Sequence, residues 1–355
     1  MAAIVAAPFG TLPDGRQVDA YRLSNDHGMS VTVLTYGGIL QSVEVPDAIG
    51  HARNVALGFR RLEDYLPNTA YFGAIIGRVA SRIANGTFVL DGIRYSLPVN
   101  APPTSLHGGQ HGFHTKLWAA TPETDVHSVA LKLHRTSPDA EEGYPGTLDT
   151  TVVYRLLAGS NTLRVEYQAT TDAPTIVNLT NHSYFNLRGE GQGTVLDHEV
   201  QIFADSYLPI GRDLIPTGEV DGVGGTPLDF RTPHRIGERI REGFDQLLLA
   251  QGYDHNYVLG DTDRGAPRRA ARVLEPVSRR VLEVWTTEPG IDFYTGNFLD
   301  GTLVGTSGSI YRQSDGFAIE PEHFSDSPNQ PQFPSIVLRP GQLYDSRSEF
   351  RFSTA

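Results

Sequence analysis

Alternation with a period of two is the pattern that most limits what this chain can fold into. Residues 30–35 set Val31 and Val33 against Thr32 and Leu34, and residues 280–286 set Val281, Glu283 and Trp285 against Leu282 and Val284. Alternation of this kind gives a strand two distinct faces, whereas a helix repeats every 3.6 residues. Thr87-Phe88-Val89-Leu90, then Asp91-Gly92, then Ile93-Arg94-Tyr95 predict a hairpin, because Asp-Gly supplies the two positive-φ residues of a type I′ turn. Residues 147–157 and 162–170 predict a second hairpin across Ala158-Gly159-Ser160-Asn161. The 37 Gly, 23 Pro, 15 Tyr and 16 Phe among 355 residues suit short strands joined by turns. Residues 260–272 read as a polar loop between two apolar runs. The clearest helical period runs over 233–249, where Ile236, Ile240, Phe244 and Leu247 share a face and Thr232 is placed to cap. No repeat, low-complexity tract or long linker divides the chain. The expectation is an all-β protein, one large antiparallel β-sandwich domain over residues 1–355 with few short helices. Two domains are the alternative.

Charge and composition narrow the function. Against 29 Lys and Arg stand 41 Asp and Glu, a net charge of −12 that argues against nucleic acid and anionic membrane as partners. A neutral substrate would not be repelled. The absence of cysteine excludes disulfides, thiolate nucleophiles and sulfur-ligated metal sites. Residues 1–10 carry no basic region, their apolar stretch stops at Pro8, and no apolar run reaches the ~20 residues that span a bilayer. A cytoplasmic protein is expected, and the Asn85-Gly86-Thr87, Asn178-Leu179-Thr180 and Asn181-His182-Ser183 sequons are then chance matches.

Several motifs are excluded on physical grounds. His107, His111 and His114 would share a face on a helix and could bind zinc, but Gly108, Gly109 and Gly112 oppose a helix there. A glycine-rich loop presenting imidazoles to a ligand is the better reading, and no metal is expected. Residues 189–193 and 222–225 are glycine clusters without phosphate-loop spacing, and neither a Walker A sequence nor a G-x-S-x-G elbow is present.

Three segments put ionisable residues among aromatic and amide residues. They are residues 77–86 with 105–109, residues 177–187, and residues 316–324 running into 329–334. Glu320 ends the apolar run 317–319 before Pro321, so a partly desolvated carboxylate suited to a general base is expected. His182 stands between Asn181 and Ser183 in a strand-like stretch. Asn, Ser, Tyr, Arg, Asp and His are the repertoire for holding a polyhydroxylated neutral molecule, whose C–H surfaces would pack on aromatic faces. Spacing alone does not show that Arg78, His107, His182 and Glu320 meet.

The chain resembles the aldose 1-epimerase (galactose mutarotase) family nearly end to end. The resemblance rests on Leu34-Thr35-Tyr36-Gly37-Gly38-Ile39, Asn54-Val55-Ala56-Leu57-Gly58-Phe59, Gly77-Arg78-Val79-Ala80, Leu106-His107-Gly108-Gly109 and residues 181–187. It continues through Asp254-His255-Asn256-Tyr257-Val258-Leu259, residues 289–297 and Asn329-Gln330-Pro331. It implies a galactose mutarotase-like supersandwich and a metal-free, cofactor-free enzyme that interconverts the α and β anomers of aldohexoses such as galactose and glucose. By resemblance, Glu320 is the base and His182 the acid, while Arg78, His107 and Asp254 bind sugar hydroxyls or the ring oxygen. Asp292 falls where relatives carry another polar residue such as Gln, with hydroxyl recognition as the implied role. Pro321-Glu322 stands where Thr-Gln is the common pattern, leaving a rival carboxylate beside the base.

Unperturbed proton affinities let ionised Glu and charged His coexist only in part at neutral pH, so a neighbouring carboxylate, Glu320 or Asp254, is expected to raise that of His182 and give a bell-shaped pH profile. The implied partner is a free monosaccharide, handled by a monomer or homodimer. Competing readings are a non-catalytic carbohydrate-binding β-sandwich, an epimerase for another aldose or a hexose 6-phosphate, and a retaining glycosidase using Glu320 with Glu322. The last needs two carboxylates ~5–5.5 Å apart across a scissile bond.

Overall fold

The computed structural model describes residues 2–67, 70–260 and 265–355. Two antiparallel sheets carry the body. The larger has nine strands in the order Ala119–Thr124, Ser128–Ser137, Leu148–Leu157, Thr162–Thr171, Tyr344–Thr354, Arg280–Thr286, Arg268–Leu274, Glu199–Ile202 and His234–Arg235. The smaller has six, in the order Tyr184–Phe185, Phe317–Glu322, Gly290–Tyr294, Asp254–Val258, Ser206–Tyr207 and Asp221–Gly222. A five-stranded meander over residues 3–54 covers one flank.

Period-two alternation explains why the two sheets stack. Along Leu148–Leu157 every second residue is buried, so Val152 and Tyr154 point inward with Val165 and Tyr167 of the next strand. They enter one apolar cluster with Val284 and Phe350 of the large sheet and Phe185, Ile291, Phe293, Phe317 and Ile319 of the small one. The rings of Phe185 and Phe350 meet across the sandwich at 5.7 Å. Each such side chain contributes about 1.5–3 kcal/mol on burial. The expected all-β sandwich is therefore the architecture found.

Local expectations fared unevenly. The hairpin at Asp91-Gly92 forms with both turn residues at positive φ (51° and 81°). The second hairpin pairs Leu148–Leu157 with Thr162–Thr171. The loop expected over 260–272 is shorter, since a strand begins at Arg268; residues 261–264 lie outside the described residues. The helix expected over 233–249 is two helices, Ile236–Arg239 and Asp245–Ala250, neither with a side-chain cap bond. Between them Phe244 is extended (φ −107°, ψ 129°), just after Gly243, a residue that costs a helix about 1 kcal/mol. Ile236 and Leu247 are still buried, and Ile240 and Phe244 still pack on the core, so the apolar face survives the break.

One set of bonds positions the small sheet against the segment that follows Ile176. Thr180 Oγ1 donates to the carbonyl of Pro321 at 2.8 Å. The Asn178 amide donates to the carbonyl of His323 at 3.2 Å and accepts its N–H at 3.0 Å. A side chain thus completes pairing that a strand would otherwise supply. Asn178→Ala removes two partly buried hydrogen bonds and is expected to lower stability by roughly 1–3 kcal/mol, read as a lower urea midpoint at unchanged slope.

Candidate active site

The register of the small sheet builds the site. Asn256, Asp292 and Glu320 lie in one row across three strands, and Val258, Gly290 and Glu322 in the next. Ile291, Phe293, Phe317 and Ile319 point into the sandwich core, so the alternate residues Asp292, Tyr294, Glu320 and Glu322 point the other way. There they line a cavity of about 210 Å³ with Tyr71, Arg82, His107, His182, Tyr184 and Asp254. The strand runs on through Pro321 to Glu322, so Glu320 sits inside it rather than at its end.

His182 is held from several sides. Its N–H donates to the carbonyl of Ala74 at 2.9 Å and its carbonyl accepts from Gly73 at 2.8 Å. The preceding Asn181 amide donates to Gly73 O at 2.8 Å and to the Tyr154 hydroxyl at 3.0 Å. The imidazole lies between Tyr184 (centroids 4.9 Å apart, planes 14°) and Tyr71 (5.9 Å, 19°). Its Nε2 is 3.5 Å from Oε1 of Glu320, and the two side chains are 6% and 5% exposed. His107 is fixed by its neighbours: Nδ1 accepts the N–H of Ser81 at 3.2 Å, which leaves the ring proton on Nε2. Gly108 must follow it, since φ is +85° and a Cβ there would lie 1.9 Å from the carbonyl of Gly77.

The expected role of Arg78 is corrected. Arg78 does not line the cavity; it is 2% exposed and its guanidinium is fully engaged elsewhere. It donates to Ser137 Oγ (2.9 Å) and to the carbonyls of Ser137 (3.0 Å), Pro138 (2.7 Å), Pro145 (2.9 Å) and Gly146 (2.8 Å). With Thr175 Oγ1 a sixth acceptor at 3.4 Å, all of its N–H groups are engaged, a structural use that leaves nothing for a ligand. Among the described residues the Lys or Arg lining the cavity is Arg82, four residues along the same segment on the short strand Arg82–Ile83 beside Ser105–Leu106. Its Nη2 is 4.0 Å from Oδ2 of Asp254.

His107, His182, Asp254, Asp292 and Glu320 are thus brought together, and Arg78 is not. Sequence reasoning missed Arg82, Tyr71, Tyr184, Tyr294 and Phe298. Arg82, Tyr184 and Tyr294 lie in segments the sequence had marked (77–86, 177–187 and 289–297), whereas Tyr71 and Phe298 carried no signal; Phe298 is half-exposed at the rim.

Burial sets the protonation of the site. It pushes Glu320 well above the usual carboxylate range, helped by Asp292 and Asp254 and opposed by Arg82. Burial, then Asp254, raises Asp292 in the same way, and burial raises Asp254 against the pull of Arg82. Burial lowers His182 to about 3 and His107 well below its usual value. The expectation that a carboxylate would raise His182 is therefore corrected for the free protein. Two tyrosine faces exclude water from the ring, and Glu320, itself holding a proton, offers no negative charge to offset that loss. Burial thus favours an uncharged pair, with the proton on Glu320 rather than on His182.

The arrangement can take a proton from one atom of a small neutral molecule and give one to another. Carboxylates and Nε2–H of His107 can bind hydroxyls, and tyrosine faces can pack on C–H surfaces. An acidic lining with Arg82 already beside Asp254 does not fit a phosphate group. Of the loop histidines, His114 packs its ring on Tyr71 at 4.8 Å and His111 is exposed. Among the described residues no group of three metal-ligating side chains gathers.

Arg78→Ala is expected to cost at least about 3 kcal/mol, since it orphans several buried carbonyls, whereas Arg82→Ala is expected to cost about 1 kcal/mol or less. Urea unfolding of the two variants checks the order.

Comparison with known proteins gives a consistent result. Residues 19–351 match the family described as Aldose 1-epimerase. The chain is 47% identical over 358 residues to the galactose mutarotase of Homo sapiens, covering all of both chains. It is 39% identical over 343 residues to the aldose 1-epimerase of Escherichia coli (strain K12), covering 96% of each. Among solved structures, the galactose 1-epimerase of Lactobacillus acidophilus NCFM superposes with a TM-score of 0.87 at 28% identity, covering all of both chains. No described helix is long and apolar enough to cross a membrane.

Proposed function

The chain belongs to the aldose 1-epimerase family, and from that premise we propose that it interconverts the anomers of free aldohexoses such as galactose and glucose with Glu320 as base and His182 as acid. The observation that carries the reading is the 3.5 Å approach of His182 Nε2 to Glu320 Oε1 at the wall of a sugar-sized cavity. Glu320 takes the proton of O1–H; the C1–O5 bond breaks, its electron pair going to O5, which takes a proton from His182; C1 and O1 become an aldehyde. Rotation about C1–C2 presents the other face, and closure reverses both transfers, returning each group to its starting state. His107, Asp254, Asp292 and Arg82 bind the hydroxyls.

The pair must pass its proton from Glu320 to His182 before the first step. Substrate supports that shift, since O1–H donates to a carboxylate and O5 accepts from an imidazolium, so both charges gain partners. The same reading takes residues 1–355 as one domain, a monomer or homodimer, acting in the cytoplasm without a cofactor. A net charge of −12 suits a neutral sugar and disfavours nucleic acid or an anionic membrane as partner.

Polarimetry on freshly dissolved α-D-galactose and α-D-glucose tests the activity. Wild type is expected to speed anomeric equilibration on at least one sugar, and Glu320→Gln to lose ~10²–10⁴-fold. Curves indistinguishable from buffer on both sugars would overturn the reading. The pH dependence follows from the shared proton. A second proton joins the pair only near the about 3 of His182, and none remains above the raised value of Glu320. Accordingly kcat/KM is expected to stay flat from mildly acidic to neutral pH and to fall only on the alkaline side; a fall through pH 6 would refute the shared-proton account.

A further inference from the structure

Glu322 is a buried ionisable group that the reaction above does not use. It ends the strand Phe317–Glu322, two residues from Glu320, on the same face and along the wall of the same cavity. Gly290 stands opposite it in the register, and the side chains of Asn256 and Phe324 close over that glycine. Glu322 is 1% exposed, and neither carboxyl oxygen has a hydrogen-bond partner; Oε2 of Glu320 has none either, while Oε1 faces His182. The groups bearing on Glu322 are acids: Glu320 on its own strand, Asp292 on the adjoining strand, Asp254 on the strand beyond that, and Glu288, itself 2.5 Å from Nδ1 of His323. Arg82 lies on the Asp254 side. Burial and these four acids hold the Glu322 carboxyl well above the usual range, which favours its protonated form. A protonated carboxyl is a donor; Asn256 Oδ1, Asp292 Oδ1 and Glu320 Oε2 are buried acceptors without a partner on this face, and the one on its own strand is Oε2 of Glu320.

We propose that Glu322 is a positioning residue for the epimerase reaction, its neutral carboxyl donating O–H to Oε2 of Glu320 and steadying that group in the negative form that removes the O1 proton. The proposal rests on Glu320 being the base. The Glu322 proton stays on Glu322 throughout, and no bond to carbon changes. Its hydrogen bond becomes charge-assisted when Glu320 is ionised and weakens when Glu320 holds a proton, so it favours the reactive state selectively.

The test compares wild type, Glu322→Gln, Glu322→Leu and Glu320→Gln on α-D-galactose, with kcat and KM measured across pH and thermal unfolding as the control for folding. Glu322→Gln keeps a neutral donor of the same shape and is expected within about threefold of wild-type kcat. Glu322→Leu, which has no donor, is expected to lose at least tenfold in kcat with KM little changed, and its alkaline limb is expected to move to higher pH because Glu320 ionises less readily. Infrared difference spectra of wild type minus Glu322→Gln at neutral pH are expected to show the carbonyl band of a protonated carboxyl, a readout that needs only the Gln variant to fold. Wild-type kcat and pH profile in folded Glu322→Leu, or a missing protonated-carboxyl band, would overturn the proposal. Equal losses in the Gln and Leu variants would do so too, since they would make Glu322 an anion. The Glu320→Gln arm decides the base separately: if that variant is active, the base reading fails, and if it is inactive while Glu322→Leu behaves as wild type, only the role of Glu322 fails.

Discussion

The site depends on one constraint: residues 178–182 are fastened to the strand Phe317–Glu322 and the residue after it. Thr180 and Asn178 make the fastening with side chains, to the carbonyl of Pro321 and to both backbone groups of His323. Two residues beyond Thr180 is His182; one residue before Pro321 is Glu320. The separation of acid and base is thus set by short, direct bonds between their own chain segments rather than by long-range packing. Pro321 fits this scheme, because the group used at that position is its carbonyl and proline retains that acceptor. On the other side the backbone of His182 is bonded to Gly73 and Ala74.

A second consequence of burial is electrical. With several acids on one sheet face and Arg82 as the cation facing them, full ionisation would place repelling charges in a dry cavity. Burial shifts the balance toward protons on the carboxyls and off the imidazoles. A site of this kind presents a nearly neutral wall to a neutral ligand and develops separated charges only when ligand atoms are present to receive them. That is the form of preorganisation that a reaction with no net charge change requires, since each proton removed at one atom is matched by one delivered at another.

How much of this could be read from the chain follows from which physical effects are local. The sandwich was legible, because alternation in residues 30–35 and 280–286 and the Asp91-Gly92 turn act within a few residues of themselves. Glu320 and His182 stood out through the chemistry of their neighbours and the family motifs. Arg78 did not declare its use, because five carbonyl and hydroxyl acceptors drawn from residues 137–146 became its partners only through the fold. Arg82, four residues on, looked equivalent in sequence and differs only in which way a two-residue strand turns it. The helical period over 233–249 identified the right buried face yet overstated continuity, since periodicity reports which side faces the core and not whether the backbone stays helical at Gly243. The proton balance of His182 was misjudged for a related reason: a carboxylate beside a histidine raises its proton affinity only while it is charged, and burial removed that charge.

Unpaired buried carboxyls weaken a fold, and here the same strands that carry them also offset the cost. On the inner face of Phe317–Glu322 and Gly290–Tyr294, Phe317, Ile319, Ile291 and Phe293 lie in the main core, where aromatic rings pack edge-on and stacked, as Phe293 does against Tyr253 (5.5 Å, 27°) and Phe230 (5.6 Å, 79°). Because successive residues of a strand face opposite ways, each reactive carboxyl is flanked in sequence by a core residue that anchors it. A slip of one residue in either strand would bury Asp292 and Glu320 in the aromatic core and expose the core to the cavity, so register itself is strongly specified. The energetic penalty of the acidic face thereby becomes part of what makes the site rigid: the alternatives that would relieve it cost far more in the core than they recover among the carboxyls.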